Sequence, residues 1–206
     1  MNSMKIMDNS SSPDLDKWFS SESQFHLLYP ASLHALARSH WTPLIVAQKA
    51  ANFLAAENGA RILDIGSGIG KFCLAAAYYK PQVTFLGIEQ RKDLVEYAEA
   101  AKKTLGLTNV SFMHGNITQL DFKHYDHFYF YNSFYENLAH TEKIDDQVAY
   151  SVELYNQYNR YLYRQLEKKP SGTRVAIFHG MDNVLPPDYL EGGSDIDNLL
   201  KYWVKE

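Results

Sequence analysis

Apolar positions between residues 43 and 59 recur at three- and four-residue steps, as in an amphipathic helix packed on a core. A shorter apolar pattern around Trp18, with Asp14 placed to cap it, predicts another helix upstream. We therefore expect residues 14–58 to form a helical N-terminal extension. Residues 1–13 are polar and are expected to form a disordered tail.

After Gly59 the pattern changes to short apolar runs that alternate with helical stretches. The runs predicted as strands are Arg61–Ile65, Thr84–Glu89, Val110–Met113, His127–Asn132 and Arg174–Phe178. The predicted helices are Lys71–Tyr79, Lys92–Leu105 and Glu142–Glu167, and a final strand pair is expected within residues 189–205. This alternation predicts an α/β fold over residues 59–206: a Rossmann-like, doubly wound, mostly parallel seven-stranded sheet with helices on both faces.

Composition narrows the class of protein. The chain has 206 residues with 46% in the apolar set, which suits one domain with its own core. Its 24 acidic and 20 basic residues give a net charge of -4, so nucleic acid is not favoured as a partner on this ground. A single cysteine and the lack of a membrane-length apolar run lead us to expect a cytoplasmic protein without a membrane partner.

Tyrosines are concentrated in one part of the chain: nine of the 15 lie between Tyr125 and Tyr163. In the predicted helix 142–167, one stripe is apolar and a second carries Tyr150, Tyr158 and Tyr161. Such a helix is either buried on two faces or offers a partner surface, for example in a homodimer. The tyrosine excess therefore points to the acceptor substrate or a partner, and an aromatic pocket for a small or protein acceptor is the expectation.

The segment from Leu63 to Lys71 is a glycine turn at the point where the first strand becomes a helix. Gly66, Gly68 and Gly70 stand at alternate positions, so the backbone can approach a ligand closely. The N–H groups at the start of the following helix favour an anionic group. By itself, the run also fits an ordinary tight turn.

Two further positions fall at the same edge of the predicted sheet. Glu89 closes the second strand, and a carboxylate there is suited to accept both hydroxyls of a ribose. Asn116 and Ile117 follow the third strand and would reach the adenine end of a nucleotide. Alternatively, Glu89 is a solvated strand end and Asn116 a turn residue.

The glycine spacing separates two kinds of cofactor. A nicotinamide-binding loop requires a third glycine where Lys71 stands. The acid and alternate glycines, Asp64, Gly66, Gly68 and Gly70, instead resemble those of the class I S-adenosylmethionine-dependent methyltransferases. The resemblance covers about residues 60–178.

This resemblance implies a set of cofactor contacts. Asp64 would hold the amino-acid end of S-adenosyl-L-methionine, Glu89 the ribose, and Asn116 with Ile117 the adenine. The family commonly has Asp at the position of Asn116, so the charge is missing here while a carbonyl acceptor remains. The full set implied to bind the cofactor is Thr42, Asp64, Gly66, Ser67, Gly68, Gly70, Glu89, Gln90, Asn116, Ile117 and Asn132.

The run Asn132-Ser133-Phe134 after the fourth strand is similar to the Asn-Asn-Phe motif of the non-SET, telomeric-silencing-disruptor type of histone lysine methyltransferases. The segment Glu89-Gln90-Arg91-Lys92 and the Thr42-Pro43 step, which would hold the cofactor from upstream, are also similar to that type. A protein lysine is thereby implied as one acceptor, although the basic tail of histone enzymes is absent.

Methyl transfer mainly requires alignment and a dry pocket, because the sulfonium leaving group is already activated. For an amine acceptor, the Asn132 carbonyl would orient the nitrogen and Tyr135 would wall the channel. Glu136 would attract a cationic substrate or take its proton. These three residues, Asn132, Tyr135 and Glu136, are the predicted catalytic set.

Other candidates have simpler interpretations. The segment His124–His127 offers metal-type ligands but fits a turn, and we predict no metal site. Cys73 is expected to be a small core residue, and His179 is placed to orient substrate. The sequence therefore predicts an S-adenosylmethionine-dependent methyltransferase that acts on an amine-type or other nucleophilic acceptor. The alternative is a module that binds S-adenosylmethionine without turnover.

Overall fold

The computed structural model describes residues 15–180 and 185–206, and within these ranges seven strands form one sheet. The strand order is β3-β2-β1-β4-β5-β7-β6. Strands β1 to β5 are parallel, whereas β7 runs antiparallel to β5 and β6 antiparallel to β7. The strands are Arg61–Ile65, Thr84–Glu89, Val110–His114, His127–Tyr131, Arg174–Phe178, Tyr189–Asp195 and Leu200–Lys205. The predicted doubly wound, mostly parallel seven-stranded fold is confirmed.

The helices lie where the apolar periodicity places them, with one large exception. In chain order, α1 to α7 are Leu15–Phe19, Glu22–His26, Ala37–His40, Leu44–Leu54, Lys71–Tyr79, Lys92–Leu105 and Val152–Glu167. Short 3₁₀ helices cover Ala31–Leu36, Ile117–Gln119, Phe122–His124 and Tyr135–Asn137. The predicted tail and the Asp14 cap lie outside the described residues.

The predicted helix 142–167 is wrong in its first ten residues. Helix α7 begins at Val152, because the Ser151 side chain accepts a hydrogen bond from the Leu154 N–H and caps the helix there. The preceding residues follow an irregular path in which Asp145 and Tyr150 bind Arg91. These polar contacts fix a segment whose apolar spacing alone looked helical.

Alternate side chains of β4 enter two different cores. Phe128 and Phe130 pack with Leu162 of α7 on one face of the sheet. Tyr129 packs on the opposite face with Phe72 of α5, where the two rings stack with centroids 3.7 Å apart. The aromatic strand is therefore buried on both faces, as expected for a central parallel strand.

Two tyrosines of α7 form hydrogen bonds within the chain. The Tyr158 hydroxyl accepts a hydrogen bond from Asn116, and the Tyr161 hydroxyl donates to the Leu120 carbonyl at 2.5 Å. Tyr158 is buried, so this stripe faces the loops that follow β3.

No helix in the described ranges is long and apolar enough to cross a bilayer.

The N-terminal extension is attached to the glycine turn through buried polar contacts. The Tyr29 hydroxyl donates to the Ile69 carbonyl at 2.9 Å, and Glu22 forms an ion pair with Lys71. The Lys71 ammonium also lies 5.4 Å from the centroid of the Phe25 ring. The extension thus borders the carboxyl edge of the sheet, where the turn begins α5.

Candidate functional site

A cavity of about 380 Å³ opens at the carboxyl ends of β1, β2 and β4. Strands β1 and β4 are neighbours in the sheet, although the chain passes through β2 and β3 between them. The strand order reverses there, which is where open α/β sheets bind ligands. Its walls come from the glycine turn, the ends of β2 and β4, the residues around Trp41, and the irregular segment before α7.

The glycine turn has the backbone that its composition predicts. Gly66, Gly68 and Gly70 all have positive φ angles, of 74°, 52° and 81°. The N–H groups of Gly66 and Ser67 both donate to the Ile88 carbonyl at 3.0 Å, so the turn is tied to the end of β2. Gly66, Ser67 and Gly68 line the cavity. The Ser67 Oγ is buried and has no hydrogen-bond partner among the described residues.

Asp64 lies at the base of the cavity with only 3% of its surface exposed. Its Oδ2 lies 3.4 Å from the Sγ of Cys73, which donates to it from α5. Burial raises the pKa of Asp64 to about 8; the thiol hydrogen bond opposes the rise and nearby Glu89 adds to it. A buried carboxyl with so little compensation fits the ammonium group at the amino-acid end of the cofactor.

Glu89 ends β2 and points into the same cavity. One carboxylate oxygen accepts from the Gly68 N–H and the other from the Arg91 N–H, each at 3.0 Å. A carboxylate has about four acceptor sites, so Glu89 is suited to accept ribose hydroxyls beside these backbone donors. Burial raises the pKa of Glu89, against the lowering effect of Arg91 and the backbone donors.

Arg91 is a buried cation that the sequence analysis did not select. Its guanidinium donates to both oxygens of Glu136 at 3.1 Å, to Asp145 at 3.0 Å and to the Tyr150 hydroxyl at 2.6 Å. Its Nη1 lies 3.6 Å from Glu89. The Arg91 side chain therefore joins Glu89, at the end of β2, to two segments that follow β4. We call Arg91 with Glu136, Asp145 and Tyr150 the Arg91 cluster. The position of Arg91 two residues after Glu89 was the only signal in the sequence.

Thr42 reaches the cavity from the N-terminal extension. Its hydroxyl lies 3.1 Å from that of Tyr129, a buried pair that joins the segment after α3 to the centre of β4. Tyr129 is opposite Asp64 in the pairing of β4 with β1. Thr42, Asp64 and Tyr129 therefore form one corner of the cavity wall.

The structure does not place Asn116 and Gly70 on the cavity wall, whereas Ile117 and Gln90 do line it. The Asn116 carbonyl accepts from the Thr118 N–H and hydroxyl, and its amide donates to Gln90 and Tyr158. Asn116 thus positions Gln90 and caps the turn after β3. Gly70 is the N-cap of α5, and a Cβ at this position would lie 2.5 Å from the Phe112 ring.

The end of β4 forms the other half of the cavity. Asn132, Tyr135 and Glu136 all line it, together with His40 and His179. Asn132 has a φ of 46°, so the chain turns sharply there, and the Tyr135 ring is 42% exposed at the opening. The Glu136 carboxylate is held by Arg91 and by the Ile144 N–H at 2.7 Å. The predicted catalytic role of each residue stays a prediction.

The His124–His127 segment is a turn that leads into β4. The His127 Nδ1 accepts from the Arg174 N–H at 3.0 Å, and its Nε2 lies 3.1 Å from Glu57. The Asp126 carboxylate accepts from the Arg61 N–H at 2.7 Å. Among the described residues, no group of three or more His, Cys, Asp or Glu side chains is arranged to hold a metal ion.

A glycine turn at the switch point of a doubly wound sheet, with one acid at its base and another after β2, is typical of an enzyme that binds a nucleotide cofactor. A family model described as a methyltransferase domain matches residues 56–168, and the chain belongs to this family. The methyltransferase family that the sequence predicts is thereby confirmed, and S-adenosyl-L-methionine is the cofactor of that family.

Curated relatives match a short part of the chain. A tRNA (guanine-N(7)-)-methyltransferase of Synechococcus sp. (strain JA-3-3Ab) is 53% identical over 55 residues, which are 27% of this chain and 23% of that protein. A release factor glutamine methyltransferase of Buchnera aphidicola is 36% identical over 70 residues, or 34% of this chain and 25% of that one. The chain thus matches about a quarter of the length of these relatives.

Solved structures share the fold. An RNA methyltransferase from Salinibacter ruber in complex with S-adenosyl-L-homocysteine superposes with a TM-score of 0.57 at 20% identity, covering 80% of this chain and 92% of that one. TrmN from Thermus thermophilus gives a TM-score of 0.59 at 19% identity, covering 80% of this chain and 49% of that one.

These comparisons correct the prediction that the partner is a small molecule or protein and that nucleic acid is not favoured, because several relatives are tRNA methyltransferases. The net charge of -4 was a poor guide, since a net charge does not describe how acidic and basic side chains are distributed over the surface that a partner meets.

Proposed function

We propose that this methyltransferase transfers a methyl group to a nucleobase nitrogen of RNA, with tRNA as the first substrate to test. The observation that carries the proposal is the make-up of the cavity opening. The exposed Tyr135 ring, the carboxamide of Asn132 and the guanidinium of Arg38 line the same cavity. They offer a stacking face, a polar edge and a cation for a phosphate.

The availability of these groups supports the proposal. Within the described part of the chain, no hydrogen bond forms to the Asn132 carboxamide and no ion pair forms to Arg38. An extruded base stacked on Tyr135 would meet the carboxamide at its edge, while Arg38 would bind the backbone. The tRNA methyltransferases among the relatives point to the same class of acceptor.

On the cofactor side, the proposal keeps the roles that the sequence resemblance implies for Asp64, Glu89 and Ile117, and puts Gln90 in the place of Asn116, which does not line the cavity. Asp64 would bind the ammonium group, Glu89 the ribose hydroxyls, and Ile117 with Gln90 would border the adenine. The bound cofactor supplies an electrophilic methyl group on a sulfonium. Thr42 and the rest of the extension, residues 14–58, would exclude water from the amino-acid end. The division into this extension and a catalytic domain at residues 59–206 belongs to the proposal, as does a cytoplasmic location alongside tRNA.

The test is transfer of radiolabelled methyl groups from S-adenosylmethionine to unmodified tRNA transcripts, with core histones as the competing acceptor. We expect label in tRNA and its loss in Asn132→Gly, which keeps the positive φ but removes the carboxamide. The proposal assigns the Asn132 carboxamide to the acceptor and not to the cofactor, so binding of S-adenosylhomocysteine, measured by calorimetry, should change less than about threefold in this variant; a larger loss would return Asn132 to the cofactor set. Label in histones alone would support the lysine acceptor implied by the Asn132-Ser133-Phe134 resemblance. Cofactor binding without transfer to any acceptor would indicate a module without turnover.

A further inference from the structure

Besides the Ser67 hydroxyl in the glycine turn, two hydrogen-bond acceptors on the β4 side of the cavity wall have no partner among the described residues. The His40 Nε2 is shielded from solvent and makes no hydrogen bond, although the residue lines the cavity. The Asn137 Oδ1 is likewise buried and unpaired on the same wall. A buried polar atom without a partner destabilises the free protein, so two such acceptors side by side in one wall indicate a ligand that satisfies them.

These acceptors lie on the β4 side of the cavity. His40 ends α3, and the carbonyl of its neighbour Ser39 accepts from the Tyr131 hydroxyl at 3.0 Å. The Ser39 hydroxyl donates to Glu142 at 2.6 Å, which fixes the end of α3 against the segment before α7. Since Asn132 directly follows Tyr131, the imidazole borders the half of the cavity that the proposed function assigns to the acceptor.

The surroundings of His40 favour a neutral imidazole that can take up a proton. Burial lowers the pKa of His40, and Arg91 lowers it further, whereas Glu136 and Glu142 oppose the shift. Both acids are close enough to act electrostatically on the ring, so an imidazolium formed during the reaction would be stabilised by them. His26, whose Nε2 is also buried and lacks a hydrogen bond, does not line the cavity.

We propose that the acceptor is an exocyclic amino group of a nucleobase and that His40 Nε2 removes its proton. An amino group has two N–H donors, which match in number the two unpaired acceptors, His40 Nε2 and Asn137 Oδ1. A ring nitrogen without hydrogen, such as N7 of guanine, would leave these acceptors unpaired. This inference rests on the proposed function and narrows its substrate class.

The reaction balances without a further reagent. The amino nitrogen forms the new bond to the methyl carbon as the carbon–sulfur bond breaks, and that electron pair stays on sulfur. The proton that the nitrogen loses passes to His40 Nε2. The imidazolium then returns the proton to solvent as the product leaves.

The experiment compares wild type, His40→Gln and His124→Gln on unmodified tRNA transcripts, with the product nucleoside identified by mass spectrometry. His124 is an exposed histidine outside the cavity and serves as the matched control. We expect a methylated exocyclic amine and a loss of about 100-fold in kcat for His40→Gln, the size typical of a general base. The affinity for S-adenosylhomocysteine and the KM for tRNA should change less than about threefold.

The pH profile separates proton transfer from a structural role. In wild type, kcat should rise with pH through the pKa of His40, and this limb should vanish in His40→Gln but remain in His124→Gln. A ring-nitrogen product, or an unchanged kcat and profile in His40→Gln, would overturn the inference while leaving RNA methylation established. Absence of tRNA methylation by wild type would overturn the proposed function and this inference with it.

Discussion

The guanidinium of Arg91 binds both carboxylate oxygens of Glu136 at 3.1 Å, and so joins the end of β2 to the segment after β4. We predict that Arg91→Lys lowers the affinity for S-adenosylhomocysteine about tenfold. A lysine keeps the charge but cannot bind Glu136 and Asp145 at once with a planar fork. Calorimetry measures the affinity, and stopped-flow dissociation should show that most of the loss is in the off-rate.

Lys92→Ala is the matched control for Arg91→Lys. Lys92 is the next residue, its side chain is exposed, and its one ion pair among the described residues is with Glu96 at 3.5 Å. Its removal should leave both affinity and stability unchanged within about 0.5 kcal/mol. Equal affinity of Arg91→Lys and wild type would show that the Arg91 cluster does not support the cofactor site.

The Arg91 cluster shows why the site was only partly predictable. The residues proposed to bind the cofactor could be predicted from local sequence patterns. Glycines at alternate positions and an acid at the end of a strand can be recognised within a few residues. Arg91 binds Glu136 and Asp145, which are 45 and 54 residues away in the sequence. A contact at such a distance leaves no periodic pattern from which it could be predicted. The same contacts explain the wrong helix start, since the residues before Val152 fold around Arg91 instead of continuing α7.

Asp64 makes cofactor binding dependent on pH. Because the pKa of Asp64 is about 8 in the free protein, most molecules must lose its proton when the cofactor ammonium group binds at pH 6 to 7. We predict that affinity for S-adenosylhomocysteine rises with pH between 6 and 8, by up to about tenfold per unit. Calorimetry in two buffers of different ionisation enthalpy should detect release of close to one proton at pH 6.5.

Asp64 also determines in which direction the stability of the cofactor-free protein changes with pH. Its folded pKa lies above the usual value of 3.8, so the folded state binds the extra proton and this contribution to stability falls as pH rises from about 4 to 8. Asp64→Asn should flatten both the thermal-unfolding profile in this range and the pH dependence of affinity. A wild-type affinity that is flat from pH 6 to 8 would contradict the role of Asp64.

Replacing Gly66 or Gly68 by alanine should lower the stability of the protein by different amounts. A Cβ at Gly66 would lie 2.6 Å from the Ser133 Cβ, whereas a Cβ at Gly68 meets nothing within 4 Å. We predict that Gly66→Ala lowers the free energy of unfolding by about 2–4 kcal/mol, because steric overlap adds to the strain of positive φ. Gly68→Ala should cost about 1–2 kcal/mol of stability, from backbone strain alone.

Cofactor affinity provides the second measurement on the glycine pair. Gly68 lines the cavity, so its added methyl group points into space that the ligand requires. Gly68→Ala should therefore lose at least tenfold in affinity for S-adenosylhomocysteine while remaining folded. Equal stability losses in the two variants, measured by urea denaturation, would contradict the packing of Gly66 on Ser133.

The ion pair between Glu22 and Lys71 provides a test of how the N-terminal extension is attached. Lys71 is 3% exposed, whereas Glu22 is 46% exposed and also accepts a hydrogen bond from the Leu44 N–H at 2.6 Å. We predict that Glu22→Gln lowers the free energy of unfolding by about 1–2 kcal/mol, because it leaves a buried ammonium without its counter-ion. The half-exposed position of Glu22 keeps the loss below that of a fully buried pair.

A double-mutant cycle with Lys71→Met isolates this pair. The methionine removes the charge but keeps an apolar stem between the Phe25 and Trp41 rings, which the ammonium approaches at 5.4 and 5.8 Å. In the Lys71→Met background, Glu22→Gln should cost less than about 0.5 kcal/mol, so the coupling energy should be about 1 kcal/mol. Additive losses in urea denaturation would mean that the extension is held to the glycine turn by packing and by the Tyr29 hydrogen bond, without a contribution from the ion pair.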